Sequence, residues 1–161
     1  MVRHVQGMIE AFLIRGYRSI ARQMNLTSRF WAKTEIVGSS SCIEKITTAL
    51  QALYACSTEY TQLFECNAKT VLCIKGGYTN TFPVMQVAVV DSDLIEAARI
   101  DELVSRLIYV ASYIEFYKGR FVLLPQIFQK KVDAKARLAA QRVASSAVTE
   151  FLGTGTAKRE N

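Results

Sequence analysis

Residues 71–90 read Val71-Leu72-Cys73-Ile74-Lys75-Gly76-Gly77-Tyr78-Thr79-Asn80-Thr81-Phe82-Pro83-Val84-Met85-Gln86-Val87-Ala88-Val89-Val90. Val71–Ile74 and Val84–Val90 are short apolar runs on either side of Lys75-Gly76-Gly77, so the sequence predicts two short strands around a glycine turn, a small β-hairpin. The paired glycines match neither a Walker nor a dinucleotide-binding spacing and read as a tight turn. On both sides of this stretch the apolar period is helical.

Before it, Val5, Ile9, Phe12, Leu13, Tyr17 and Ile20 recur at helical spacing and predict an amphipathic helix over about residues 4–24, with Arg15, Arg18 and Arg22 on its other face. Gly38-Ser39-Ser40-Ser41 breaks the chain. Ser41 and Glu44 fit a capping box, and Ile43, Ile46, Leu50, Leu53 and Tyr54 continue a second helix to about Cys66, kinked near Cys56-Ser57-Thr58. After residue 90, Asp91-Ser92-Asp93 with Glu96 opens a third helix over about 93–118, which Gly119 is placed to end. Asp133 reads as the N-cap of a fourth helix to about Leu152, stopped by Gly153. The expected fold is mainly α: a four-helix bundle with a small β-hairpin and an N-terminal helical arm. The arm is residues 1–24, the bundle 25–152 with its β element at about 71–90, and the polar tail 153–161.

Half of the residues are hydrophobic, with 8 glycines and 2 prolines, which suits a helical chain of one domain. A mean hydropathy of +0.14 implies either an unusually rich core or, the favoured reading, apolar faces covered by neighbouring chains. No window of about 20 residues is free of charge, which argues against a membrane span. Cys42, Cys56, Cys66 and Cys73 form no Cys-x-x-Cys pair and His4 is the lone histidine, so neither a zinc site nor a Ser-His or Cys-His catalytic pair is expected. Asp91, Asp93 and Glu96 sit where a helix start favours acids, and read as capping rather than as metal ligands. The sequence thus predicts no enzyme, no metal and no cofactor.

Charge is sorted by position. Residues 1–33 carry +5, residues 34–115 carry −5, and residues 116–149 carry +6. In that last segment Lys118 and Arg120 lie where the third helix ends. Lys130 and Lys131 lie just before the fourth begins, and Lys135, Arg137 and Arg142 run along its first half. In an antiparallel helix pair these groups share one end and build a basic ridge, which usually faces a phosphate backbone. Tyr117, Phe121 and Phe128 interleave aromatics suited either to the core or to stacking on bases.

These stretches resemble the coat proteins of rigid rod-shaped plant viruses of the tobacco mosaic type. Asp91-Ser92-Asp93 followed by Ile100–Ile108 is similar to the family's third bundle helix. Lys130-Lys131-Val132-Asp133-Ala134 resembles the Arg-Arg-Val-Asp-Asp that opens its last helix, and Glu150 with Gly153-Thr154-Gly155 resembles that helix's exit. The likeness covers about residues 91–155, with a looser match around Ile43 to Leu50. It implies a four-helix bundle that self-assembles into a homopolymer around single-stranded RNA, in a virion or host cytoplasm. By this resemblance Arg120 stands for the arginines after the third helix, and Lys131 and Asp133 for the arginine and aspartate opening the fourth. The aspartate would orient a basic group or contact sugar, or serve only as N-cap. The alternative expectation is an accessory subunit of an organellar assembly, mitochondrial by its arginine-rich, acid-poor start, docking on other protein subunits.

Overall fold

The computed structural model describes residues 2–76, 79–118 and 126–157, with side chains at 5–76, 79–118 and 130–153. Helix α1 (Val2–Gln23) leads into the strand pair β1 (Thr27–Trp31) and β2 (Thr34–Gly38). Helices α2 (Ser40–Cys56) and α3 (Thr58–Asn67) follow, then β3 (Thr70–Ile74), β4 (Asn80–Phe82) and β5 (Val87–Asp91). The chain closes with α4 (Ser92–Ala97), α5 (Ile100–Tyr117) and α6 (Gln126–Ala157). The five strands form one sheet in the order β1-β2-β3-β5-β4.

The three inner strands run parallel, with Ile36 beside Val71 and Val71 beside Ala88. Each edge strand is antiparallel to its neighbour, and the β1–β2 turn uses a left-handed Ala32. Every residue of β3 and the first four of β5 are buried. Buried parallel strands read as unbroken apolar runs because both of their faces are covered. Ile36, Val71, Cys73 and Val90 pack toward α2, α5 and α6, with Ile46, Leu50, Leu53, Leu103, Leu107, Ile108, Ala144 and Ala147 in the same core. Val37, Leu72, Ile74, Val87 and Val89 point the opposite way, under Ile14 and Ala21 of α1. Alternation along each strand thus supplies two cores, one per face.

This is a mixed α/β fold, which corrects the expected four-helix bundle with a small hairpin. The runs read as two paired halves of a hairpin are parallel neighbours, and β4 passes between them in sequence to pair with the far side of β5. The N-terminal helix is no free arm. It roofs the sheet, and Glu10 anchors it by accepting from the Met85 backbone amide at 2.9 Å. Burial pushes the Glu10 carboxyl above the usual carboxylate range, against the lowering effect of its hydrogen bonds.

Local signals moved as well. Ser39, not Ser41, caps α2, accepting from the Cys42 amide at 3.2 Å. The kink expected near Cys56–Thr58 is the break between α2 and α3 at Ser57. The third predicted helix is two, α4 and α5, separated at Ala98 and Arg99. Asp91 caps α4 by accepting from the Asp93 amide at 3.1 Å. Gly153 does not stop α6, which continues to Ala157.

Candidate nucleic-acid interface

Helices α5 and α6 pack along one another on the sheet face opposite α1. The stripe of α6 turned inward carries Ala136, Ala140, Ala144 and Ala147, all buried. Small side chains four and three residues apart let the two helices approach closely.

Asp133 lies on that inward side, seven residues inside α6, so its expected role as N-cap is corrected. Its Oδ1 accepts from the Tyr113 hydroxyl at 2.5 Å and from the Tyr117 hydroxyl at 3.3 Å. Its Oδ2 pairs with Arg137 Nε, one turn further on, at 2.8 Å. Tyr109, Tyr113 and Tyr117 follow at four-residue intervals on α5, with ring centroids 6.3 and 5.0 Å apart. Burial, and then the bond to Asp133, push the Tyr113 phenol well above the usual tyrosine range. Burial also raises Tyr117 and Tyr109. The Asp133 charge beside it raises the Arg137 guanidinium. Three tyrosines spaced by four residues were the sequence signal for this cluster, which the reading of Tyr117 as core or base-stacking aromatic missed.

The predicted ridge residues therefore separate. Lys118 ends α5, and its Nζ donates to Cys66 O and Asn67 Oδ1, both at 3.4 Å, tying that end to α3. Arg137 is paired with Asp133. Arg120 and Phe121, and the side chain of Phe128, lie outside the described residues. Lys130 and Lys131 are exposed within α6 rather than ahead of it, because the helix starts at Gln126. Lys135 and Arg142 are also exposed.

At about 100° per residue, Lys131, Lys135, Leu138 and Arg142 fall within one outer stripe of α6, opposite the alanines, with Lys130 to one side. The stripe runs about 16 Å from Lys131 to Arg142. No acid shares it, and among the described residues no ion pair engages Lys130, Lys131, Lys135 or Arg142. Leu138 sits among these cations 51% exposed.

Elsewhere a cleft of about 270 Å³ opens between the end of β5 and helices α4, α5 and α6, with Asp91, Arg106, Tyr109 and Gln141 in its wall. Ser105 and Ser145 line it without a histidine. Among the described residues no three His, Cys, Asp or Glu side chains are grouped to hold a metal ion, and no helix is long and apolar enough to cross a membrane. Comparison with protein-family models, curated proteins and solved structures finds no match.

Proposed function

We propose that this chain is a non-enzymatic protein that binds single-stranded RNA along the outer stripe of α6. The observation carrying this reading is the alignment of Lys131, Lys135 and Arg142 on one exposed stripe without an acid among them. Cations so placed neutralise successive phosphates and release condensed counterions. Leu138 favours a single strand over a duplex. An unstacked base can cover this exposed side chain, whereas the bases of a duplex are stacked inside it. The homopolymer was implied by the resemblance together with a four-helix bundle. The fold is a mixed α/β one instead, so the proposal keeps the RNA and leaves the rod aside.

The test is fluorescence anisotropy of a labelled oligouridine titrated with the protein across a salt series. Three phosphate contacts give a log–log salt slope of about −2 for a single strand. Lys131→Gln, Lys135→Gln and Arg142→Gln combined should weaken binding and flatten the slope. Arg15→Gln with Arg22→Gln, on the far side of the sheet, should leave both unchanged. A triple variant with the parent's affinity and slope refutes the reading.

A further inference from the structure

Helix α1 is apolar on two sides, and the sheet covers only one. Ile14 and Ala21 are buried on the strands, and Glu10 is turned inward with them. Outward, Phe12 is 75% exposed, Met8 71% and Ile9 57%, with Val5, Leu13 and Ile20 also exposed. At about 100° per residue, these six side chains occupy an arc of about 140° centred away from the sheet, interrupted toward its C-terminal half by exposed Gly16, Ser19 and Gln23. They leave several hundred Å² of apolar surface in water, the size at which a patch marks an interaction site. Among the described residues nothing covers it.

The charges around this arc are of one sign. Arg15 and Arg22 are exposed on one flank of the arc, next to Met8 and Phe12 around the helix. Arg18 is drawn down to Glu35 of β2, with its Nη2 2.6 Å from Glu35 Oε2. Glu10, the only acid of α1, is buried. Phe30, 67% exposed, lies on the same side of the sheet, because it stands opposite Glu35 in the β1–β2 register.

We infer that the outer face of α1 docks in the plane of an anionic lipid bilayer. A helix with a broad apolar arc and arginines at its edge inserts that arc among the upper acyl chains, while the arginines reach anionic headgroups. The roof position suits this mode, since the sheet holds α1 in place and its outward face is free along the length of the patch. A second copy of the chain matches the face less well, because it adds a second set of arginines and no exposed α1 acid to pair with them.

Co-sedimentation with phosphatidylcholine vesicles, with and without phosphatidylserine, decides the matter. The protein should bind the mixed vesicles, bind phosphatidylcholine alone much more weakly, and lose affinity as salt rises. Met8→Ser with Phe12→Ser should reduce binding to mixed vesicles roughly tenfold or more, from the lost burial of two large side chains. Arg15→Gln with Arg22→Gln should remove most of the preference for phosphatidylserine. All four positions are exposed, so both variants should keep the parent's circular dichroism, thermal midpoint and oligouridine affinity. Vesicle binding that is absent, indifferent to phosphatidylserine, or unchanged in the Met8/Phe12 variant overturns the inference. So does sedimentation equilibrium revealing a dimer that the Met8/Phe12 variant abolishes, with no vesicle binding.

Discussion

The Tyr113 hydroxyl donates to Asp133 Oδ1 across the α5–α6 interface at 2.5 Å, which makes the one acidic residue of the basic segment 116–149 a helix-to-helix tie. Its counterparts are one further phenol and one guanidinium. Asp133→Asn keeps an acceptor for Tyr113 but turns an amide toward Arg137. It should cost about 1–2 kcal/mol, and Asp133→Ala about 1–3 kcal/mol, as expected for losing hydrogen bonds to a charged group that is partly screened. Tyr113→Phe should cost about 1 kcal/mol, and combining it with Asp133→Asn should be less than additive. Urea unfolding of the parent and the four variants checks this. An Asn variant with the parent's midpoint would show that the tie contributes nothing.

Alkali should loosen the same interface. Tyr109, Tyr113 and Tyr117 are all raised above the ordinary tyrosine value. In the unfolded chain these phenols ionise at about pH 10, while the folded chain holds their protons to higher pH. Their contribution to stability is therefore fully present below about pH 10 and is lost as pH rises beyond it. Thermal midpoints measured from pH 8 to 11 should fall above pH 10, less steeply in Tyr113→Phe. A flat profile, or equal slopes in parent and variant, contradicts this.

Two glycines should respond oppositely to alanine. A Cβ at Gly38, where β2 ends, would stand 3.0 Å from Cys73 Cβ and 3.4 Å from Cys42 Cβ. Gly38→Ala forces apart a strand and a helix in the core and should cost about 1–3 kcal/mol. Gly16, in the middle of α1, has nothing within 4 Å of its added Cβ. Gly16→Ala should stabilise by up to about 1 kcal/mol through helix propensity. Chemical denaturation of both variants reads the two signs directly.

Removing residues 1–24 should not leave a folded remainder. It strips Ile14 and Ala21 from Leu72, Ile74, Val87 and Val89, exposing one whole face of the sheet. The milder Ile14→Ala should cost about 2–4 kcal/mol. A truncated chain that stays monomeric with a cooperative melt would show the far-side core to be sufficient.

The sequence located helices far better than it paired strands. The period of Val5 to Ile20 marks α1, and Cys56-Ser57-Thr58 marks the α2–α3 break, because those signals are local. Val71–Ile74 was also found, and so was the second strand, read as Val84–Val90 and observed from Val87 to Asp91. Their unbroken apolar character, however, was the sign of strands covered on both faces, and a hairpin over a bundle would have left one face polar. β1 and β2 were missed altogether. Thr27-Ser28-Arg29-Phe30 is an exposed edge with no alternation, and Thr34–Gly38 offers only Ile36-Val37 as an apolar run. Asp133 misled because an aspartate before an apolar stripe suits an N-cap, while the proline preceding Gln126 was the better start signal. The ridge was half legible. Lys131, Lys135 and Arg142 share a stripe by helical arithmetic alone. The pairing of Arg137 with Asp133 became legible only once Asp133 was inside α6 rather than at its cap, and the capture of Lys118 depends on Cys66 and Asn67 brought up from α3.

Helix α1 is made well before the strands it covers. Ile14 packs in one cluster with Val87 and Val89, more than seventy residues further along the chain. At a synthesis rate of about 5–20 residues per second, several seconds pass before those strands emerge. For that interval the helix carries apolar residues on both flanks with no sheet beneath it. The nascent chain is thus sticky along α1 for that interval, and whatever shields this helix at the ribosome bears on the yield of folded protein.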